Sequence, residues 1–353
     1  TEDDKLKPKG KYISTGIVKE AKEEANKQMS KSKTKEDCKE LLEANHNIIL
    51  SGAPGTGKTY MAKEIANEMC DNDESHIEFV QFHPSYDYTD FVEGLRPIKK
   101  EEKEDTPNSS IGFKLTDGIF KEFCENALKD KENKYVFIID EINRGEMSKV
   151  FGELFFSIDP GYRGSDGAVR TQYANMSDEN VFDKYMKAEG KTLNHNGHFF
   201  VPENVYIIGT MNDIDRSVDT MDFAMRRRFL IKEIKAKDTQ YMLSNADVIK
   251  RMDALNDVIE GGENSSTKIN AKLGSAYSLG ASYFKKIEQY EGENKYEELW
   301  SNHLEGILRE YLRGTQKPEE DLGRLKDAYD LKLLKKDNDT HNANDSANTE
   351  ATD

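Results

Sequence analysis

At 353 residues the chain has room for two domains, or for one large α/β domain with an appendage. Asp and Glu number 67 against 51 Lys and Arg, and the resulting formal charge of −16 argues against a surface that grips nucleic acid by bulk basic charge, local patches such as Arg226-Arg227-Arg228 aside. No apolar stretch approaches the ~20 residues of a membrane span and no secretory leader opens the chain, so no membrane partner is expected. Cys38, Cys70 and Cys124 stand apart without a CxxC pair, which fits reduced thiols and a cytoplasmic location. The first residue is Thr rather than Met, which reads as a segment of a longer polypeptide.

Residues 1–35 are rich in Lys and Glu and read as a mobile polar lead-in. A short helix over about 36–44 then delivers the chain to an apolar strand at 47–51. That strand runs into Gly52-Ala53-Pro54-Gly55-Thr56-Gly57-Lys58-Thr59, a complete G-x-x-x-x-G-K-[ST] loop, and 58–70 continues as a helix with Met61, Ile65, Ala66 and Met69 at helical spacing. A second strand is expected at 77–82, a charged surface loop at 99–110, and a helix at 119–128. The strand at 135–139 ends in Asp140-Glu141, and a helix at 147–158 carries Val150, Phe151, Leu154, Phe155 and Ile158 on one face. Residues 159–200 are polar and weakly periodic, an insertion of the kind that is either functional or disordered. A strand at 205–209 ends in Thr210-Met211-Asn212, followed by a short helix at 219–225 and a fifth strand at 229–234. From about 236 the pattern is helical, with Leu299, Trp300, Leu304, Ile307, Leu308, Tyr311 and Leu312 as an apolar stripe. The order predicts an α/β core over 36–235 containing the 159–200 insertion, then a small helical domain over 236–335. The tail at 336–353 is acidic and almost without apolar content, so disorder is expected there.

Binding a triphosphate takes backbone N–H donors, a counter-charge and a metal. Gly52, Gly55 and Gly57 let the loop curl close to phosphates, Ala53, Pro54 and Thr56 fill it, and Tyr60 lies in the first turn of the helix whose N-terminal dipole faces them. Lys58 is expected at the β- and γ-phosphates, and the Thr59 hydroxyl on Mg²⁺. Asp140, at the carboxyl end of a strand where open α/β sheets place their ligands, would hold that ion through water. Glu141 would orient and polarise the attacking water, and Asn212, on an adjacent strand end, would hold the water or the γ-phosphate with a neutral amide. The plainer alternative for the two carboxylates is a helix cap.

Arg226-Arg227-Arg228 lies far along the chain from Lys58, which suits an arginine supplied in trans; a solvated basic turn is the alternative. The intervening strand at 77–82 fits additional-strand ATPases better than Ras-like GTPases. Thr34-Lys35-Glu36-Asp37 matches a guanine-binding [NT]-K-x-D pattern but precedes the phosphate loop in a polar helix, and is set aside. His195 and His198 have HxxH spacing in a polar loop without an acidic or Cys partner nearby, and are not taken as a metal site.

The run Gln81-Phe-His-Pro-Ser-Tyr86 with Phe91, Gly94 and Pro97, then Asp140-Glu-Ile-Asn-Arg-Gly145, Ser148-Lys-Val-Phe-Gly-Glu-Leu154, Val201-Pro202, Ile207-Ile-Gly-Thr-Met-Asn212, Asp215-Arg-Ser217 and Arg226-Arg-Arg-Phe229, resembles the AAA+ motor domain of McrB-type proteins. Leu279-Gly-Ala-Ser-Tyr-Phe284 and the helix around Trp300 are similar to the end of that domain, and the resemblance covers about 38–315. It implies an α/β P-loop NTPase core of the AAA+ class, with a parallel sheet and a small C-terminal helical lid. It further implies a hexameric ring, Mg²⁺ with GTP or ATP at each subunit interface, a McrC-type nuclease partner, and DNA handled through the assembly. Asn212 and Asp215 would form an N-x-x-D element needed for hydrolysis, with Asp215 orienting a group across the interface, and Arg227 and Arg228 match interfacial arginines. Asp213 and Ile214 depart from the Thr-Ala of the family and add a carboxylate beside the site. No domain for reading modified DNA is visible in this segment. An ATP-driven remodeller of protein complexes and a non-hydrolysing scaffold are the competing functions, and hydrolysis rates with GTP and ATP side by side would separate them.

Overall fold

The computed structural model describes residues 33–99, 111–214, 223–261, 269–271 and 273–332. Most of the expected lead-in, the loop at 100–110, Asp215 and the acidic tail lie outside the described residues. Helix α1 (33–45) leads into strand β1 (Asn47–Gly52), followed by α2 (Lys58–Met69), β2 (Ile77–Gln81), α3 (Tyr88–Phe91), β3 (Glu93–Lys99), β4 (Ile111–Asp117), α4 (Ile119–Lys129) and β5 (Tyr135–Asp140). Then come α5 (Met147–Phe151), α6 (Leu154–Ser157), β6 (Val169–Arg170), α7 (Val181–Ala188), β7 (His198–Phe199), β8 (Val205–Asn212), α8 (Phe223–Arg226) and β9 (Leu230–Glu233). Helices α9 (Ala246–Glu260), α10 (Ala281–Lys285), α11 (Lys295–Leu299), α12 (Glu305–Tyr311) and α13 (Pro318–Tyr329) complete the described chain, with a π-helical turn at Trp300–Leu304.

Five strands form one parallel sheet in the order β2-β5-β8-β1-β9. Its central strands are apolar on both faces, as a sheet covered on two sides requires. Ile48, Leu50, Val136 and Ile138 meet α1 and α2 through Leu42, Met61, Ile65 and Met69. Ile49, Phe137 and Ile139 face Phe91, Phe120 and Phe151 on the other side. A separate core is built wholly from residues between Ala236 and Tyr329, including Trp300, Leu304, Leu308 and Leu312 of the expected stripe. The α/β expectation with a helical C-terminal part therefore holds.

Two local expectations change. The helix at 147–158 breaks at Gly152, whose φ of 49° no helix residue adopts and where a Cβ would meet the Tyr88 ring at 3.1 Å. The 159–200 insertion is folded: Asn180 caps α7, β6 pairs antiparallel with β7, and Phe182, Phe199 and Phe200 sink into the main core. Its apolar anchors are too few and too unevenly spaced to show a period. Strands β3 and β4, not expected from the sequence, pair antiparallel on either side of 100–110.

Candidate active site

Parallel register carries the chemistry to one edge of the sheet, with Gly52 opposite Asn212 and Gln81 opposite Asp140. At Gly52, φ is 149°, and a Cβ would stand 2.3 Å from the Ile234 carbonyl oxygen. Gly55 and Gly57 have φ of 75° and 77°, the left-handed turns that bend the loop into the N-terminus of α2. The Lys58 ammonium folds back over this loop, donating to the carbonyls of Gly52 at 3.0 Å and Ala53 at 2.8 Å. Thr56 braces the same loop through a bond from its hydroxyl to the Ala53 carbonyl at 2.9 Å. Burial pushes the Lys58 pKa down to about 8, although Asp213, Glu141 and Asp140 pull it upward.

Opposite the loop, Asp140 Oδ1 accepts from the Thr59 hydroxyl at 2.7 Å and from the Thr210 hydroxyl at 2.6 Å. Glu141 follows with φ 52°, a left-handed conformation that costs a non-glycine residue roughly 1–2 kcal/mol. Its N–H donates to Thr210 Oγ1 at 3.2 Å, Asn212 Nδ2 donates to its Oε1 at 2.6 Å, and Arg144 Nε stands 3.3 Å from its Oε2. A cavity of about 380 Å³ opens between these groups, lined by Gly55, Gly57, Lys58, Thr59, Tyr60, Glu141, Thr210 and Asn212 from the core, with Met242 and Ser282 on its far wall. That wall reaches the loop through main chain: Gly280 N–H donates to the Pro54 carbonyl at 3.0 Å, and Ser282 N–H to the Gly55 carbonyl at 3.0 Å. A Cβ on Gly280 would lie 2.1 Å from the Gly55 carbonyl carbon. Asn256 of α9 sets this segment by bonding both the N–H of Leu279 (2.8 Å) and its carbonyl (3.0 Å).

The loop residues, Asp140, Glu141 and Asn212 are thus brought together as the sequence suggested, while Asp215 lies outside the described residues. Asp213 sits beside them, its N–H 3.4 Å from the Gly52 carbonyl, and burial raises its carboxyl pKa against the pull of Lys58. The arginines are elsewhere, and none lines the cavity. Arg226 and Arg227 are exposed at the end of α8. Arg228 instead donates to the carbonyls of Phe155 and Ala224 and lies over the Phe155 ring. Thr210, Met242, Asn256 and Ser282 were missed. Thr210 could have been found from its place one residue beyond the apolar strand; Ser282 lies in the 279–284 run but without an assigned role, and Met242 and Asn256 belong to no motif.

Two set-aside patterns also resolve. Lys35 pairs with Glu68 of α2 at 2.5 Å, a surface contact remote from the phosphate loop. His198 does have an acidic partner, contrary to expectation: Asp183, fully buried on α7, lies 2.7 Å from its Nδ1 and also accepts the Gly197 N–H at 2.9 Å. Sequence separation hid this pairing, which staples the insertion closed. No group of three or more His, Cys, Asp or Glu capable of holding a metal occurs among the described residues. No helix among them is long and apolar enough to cross a membrane.

The AAA domain of the dynein-related subfamily matches residues 47–229, the span from β1 through the arginine triplet. The chain belongs to the AAA family. It is 36% identical over 249 residues to the Type IV methyl-directed restriction enzyme EcoKMcrB subunit of Escherichia coli (strain K12), across 69% of this chain and 48% of that protein. The Type II restriction enzyme BsuMI component YdiS of Bacillus subtilis (strain 168) is 27% identical over 233 residues, 60% of this chain and 64% of that protein. The chain thus spans about half the length of the first relative and just under two thirds of the second. A solved putative ATPase from Cytophaga hutchinsonii aligns over 68% of each chain at 12% identity and a TM-score of 0.31, too distant to add to the argument. The McrB-type AAA+ resemblance seen in the motifs is borne out, and with it a nucleoside-triphosphatase core. Thr59, Glu141, Thr210 and Asn212 line one side of the cavity, the core wall, and Met242 and Ser282 line the other, the lid wall.

Proposed function

We propose that this chain is the motor of a restriction system. It hydrolyses GTP in preference to ATP at the interfaces of a homo-hexameric ring and drives DNA movement for a partner nuclease. The observation that carries the hydrolytic part is the bond from Asn212 to Glu141 at 2.6 Å, beside a cavity that also receives Lys58. The restriction setting rests on likeness to the restriction-enzyme components of Escherichia coli and Bacillus subtilis, and the nuclease partner and guanine preference rest on the McrB-type resemblance of the motifs.

The donors suit Mg²⁺. Thr59 and Asp140 offer a hydroxyl and a carboxylate oxygen 2.7 Å apart, hard ligands of the type this ion combines with substrate phosphates and water. Bound there, the ion would neutralise charge developing on the phosphates. Lys58 leaves the Gly52 and Ala53 carbonyls for the phosphate oxygens, where its positive charge is needed. Glu141, fixed by Asn212 on one oxygen, accepts a hydrogen bond from water and takes its proton as the water attacks. None of the three arginines lines the cavity, which supports a reading in which one of them serves the site of a neighbouring subunit. Arg227, exposed at the end of α8, is the group offered to a neighbour, and Arg228 is the anchor of its turn.

Turnover with GTP and ATP side by side, with and without Mg²⁺, tests the reading. Faster GTP turnover that requires Mg²⁺ supports it. An enzyme that turns over only ATP would overturn the guanine preference and favour a remodeller of protein complexes.

A further inference from the structure

Asn47 opens β1, the strand that ends in the phosphate loop, and its side chain is fully buried. Its bonds nevertheless run to other parts of the chain. Nδ2 donates to the Ile158 carbonyl at 2.7 Å and to the Arg228 carbonyl at 2.9 Å, while Oδ1 accepts from Arg163 Nη2. Arg163 also donates to the Val205 carbonyl at 3.4 Å. It is only 7% exposed, has no ion pair among the described residues, and its Nε finds no hydrogen-bond partner there. Burial holds its pKa down at about 10. A guanidinium buried without an ion pair, with only the charge of Asp159 in its favour, opposes folding, and an apolar side chain of similar volume would serve the core better. The pair therefore calls for an explanation beyond stability.

What it fixes is the main chain of Arg228, the residue after Arg227. The side chain of Arg228 ties the same turn from the opposite direction, to Phe155 and Ala224. Arg227 is thus carried on a turn held on both sides while remaining exposed itself. We propose that Asn47 and Arg163 are positioning residues for Arg227, so that one end of β1 builds a subunit's own phosphate loop while the other end sets the arginine lent to its neighbour. The proposal rests on Arg227 acting in trans. It predicts that a defect at Asn47 appears in the neighbour's site, although Asn47 and Gly52 share a strand.

Asn47→Asp is the sharpest variant, because it keeps an acceptor for Arg163 but cannot donate to the Ile158 and Arg228 carbonyls. Arg163→Gln serves the same purpose should the first fail to fold. Each is assayed for fluorescent-nucleotide affinity, thermal midpoint and turnover, alone and mixed with Lys58→Ala subunits. Misplacing a catalytic group by about 1 Å costs about 100-fold, so turnover of Asn47→Asp alone should fall on that order with affinity unchanged. Mixing should restore activity, because Lys58→Ala subunits present an intact arginine to the intact phosphate loop of the variant. Lost affinity, or no restoration in a mixture where Arg227→Ala is restored, would show that Asn47 serves its own loop and would overturn the proposal. If Arg227→Ala is not restored either, the trans assignment fails and the proposal falls with it.

Discussion

The two walls of the nucleotide cavity are built by different means. On the core wall Lys58, Thr59, Asp140, Thr210, Glu141 and Asn212 bond through side chains. On the lid wall the hydrogen bonds to the phosphate loop come from the main-chain N–H groups of Gly280 and Ser282, while Ser282 Oγ and the Tyr283 ring pack close against Gly55. Chemistry therefore resides in residue identity on one wall and in backbone clearance on the other. The arginine turn, the third piece of the proposed site, lines neither wall within a single chain.

The largest effect should come from that third piece. Arg227→Ala is expected to bind nucleotide normally and to lose on the order of 10³–10⁵ in turnover, read by steady-state hydrolysis beside an affinity titration. On the core wall, Glu141→Gln should lower turnover by about 10²–10⁴ while keeping binding and assembly. Wild-type turnover in that variant would remove Glu141 from its role. On the lid wall Gly280→Ala forces a Cβ against the Gly55 carbonyl carbon, now 2.1 Å away, and should cost about 1–3 kcal/mol of stability together with weaker nucleotide binding. Ser282→Ala keeps the N–H bond to Gly55, so its effect should stay within about 0.5 kcal/mol by thermal or urea melts. A severe loss there would erase the contrast between the walls.

Acidity sharpens the same contrast. Burial lowers the Lys58 pKa to about 8 from 10.5, and phosphate oxygens would hold it charged. Below pH 8 the ammonium is already present; above it, binding must take up a proton, so affinity should weaken by up to about tenfold per pH unit. Stability of the nucleotide-free fold moves the other way. With a lowered folded pKa, the penalty for burying the charge is full below pH 8 and is relieved between 8 and 10.5. Isothermal titrations and melts across that window read the two opposite slopes.

Legibility in the sequence follows this division. The core wall was readable because its groups sit at strand ends in fixed local order: the loop after β1, Asp140-Glu141 ending and leaving β5, Asn212 ending β8. The run 279–284 was visible as a family-like motif, but not its place against the phosphate loop, because main-chain N–H groups of Gly280 and Ser282 leave no chemical signature and Met242 looks like any core residue. That the insertion is folded rather than disordered was hidden for a related reason. Asp183 and His198 meet across a turn, and Phe182, Phe199 and Phe200 anchor it without periodicity. Arg227 and Arg228 looked alike in the sequence; only the bonds of Arg228 to Phe155 and Ala224 tell anchor from exposed neighbour.

The central claim is that the hydrolytic site is complete only when two copies of the chain meet. Turnover of Arg227→Ala mixed with Lys58→Ala, each inactive alone, tests it most directly. Recovered hydrolysis that rises and falls with the mixing ratio is the predicted result. Activity no greater than that of the separate variants, despite normal co-assembly, would contradict it.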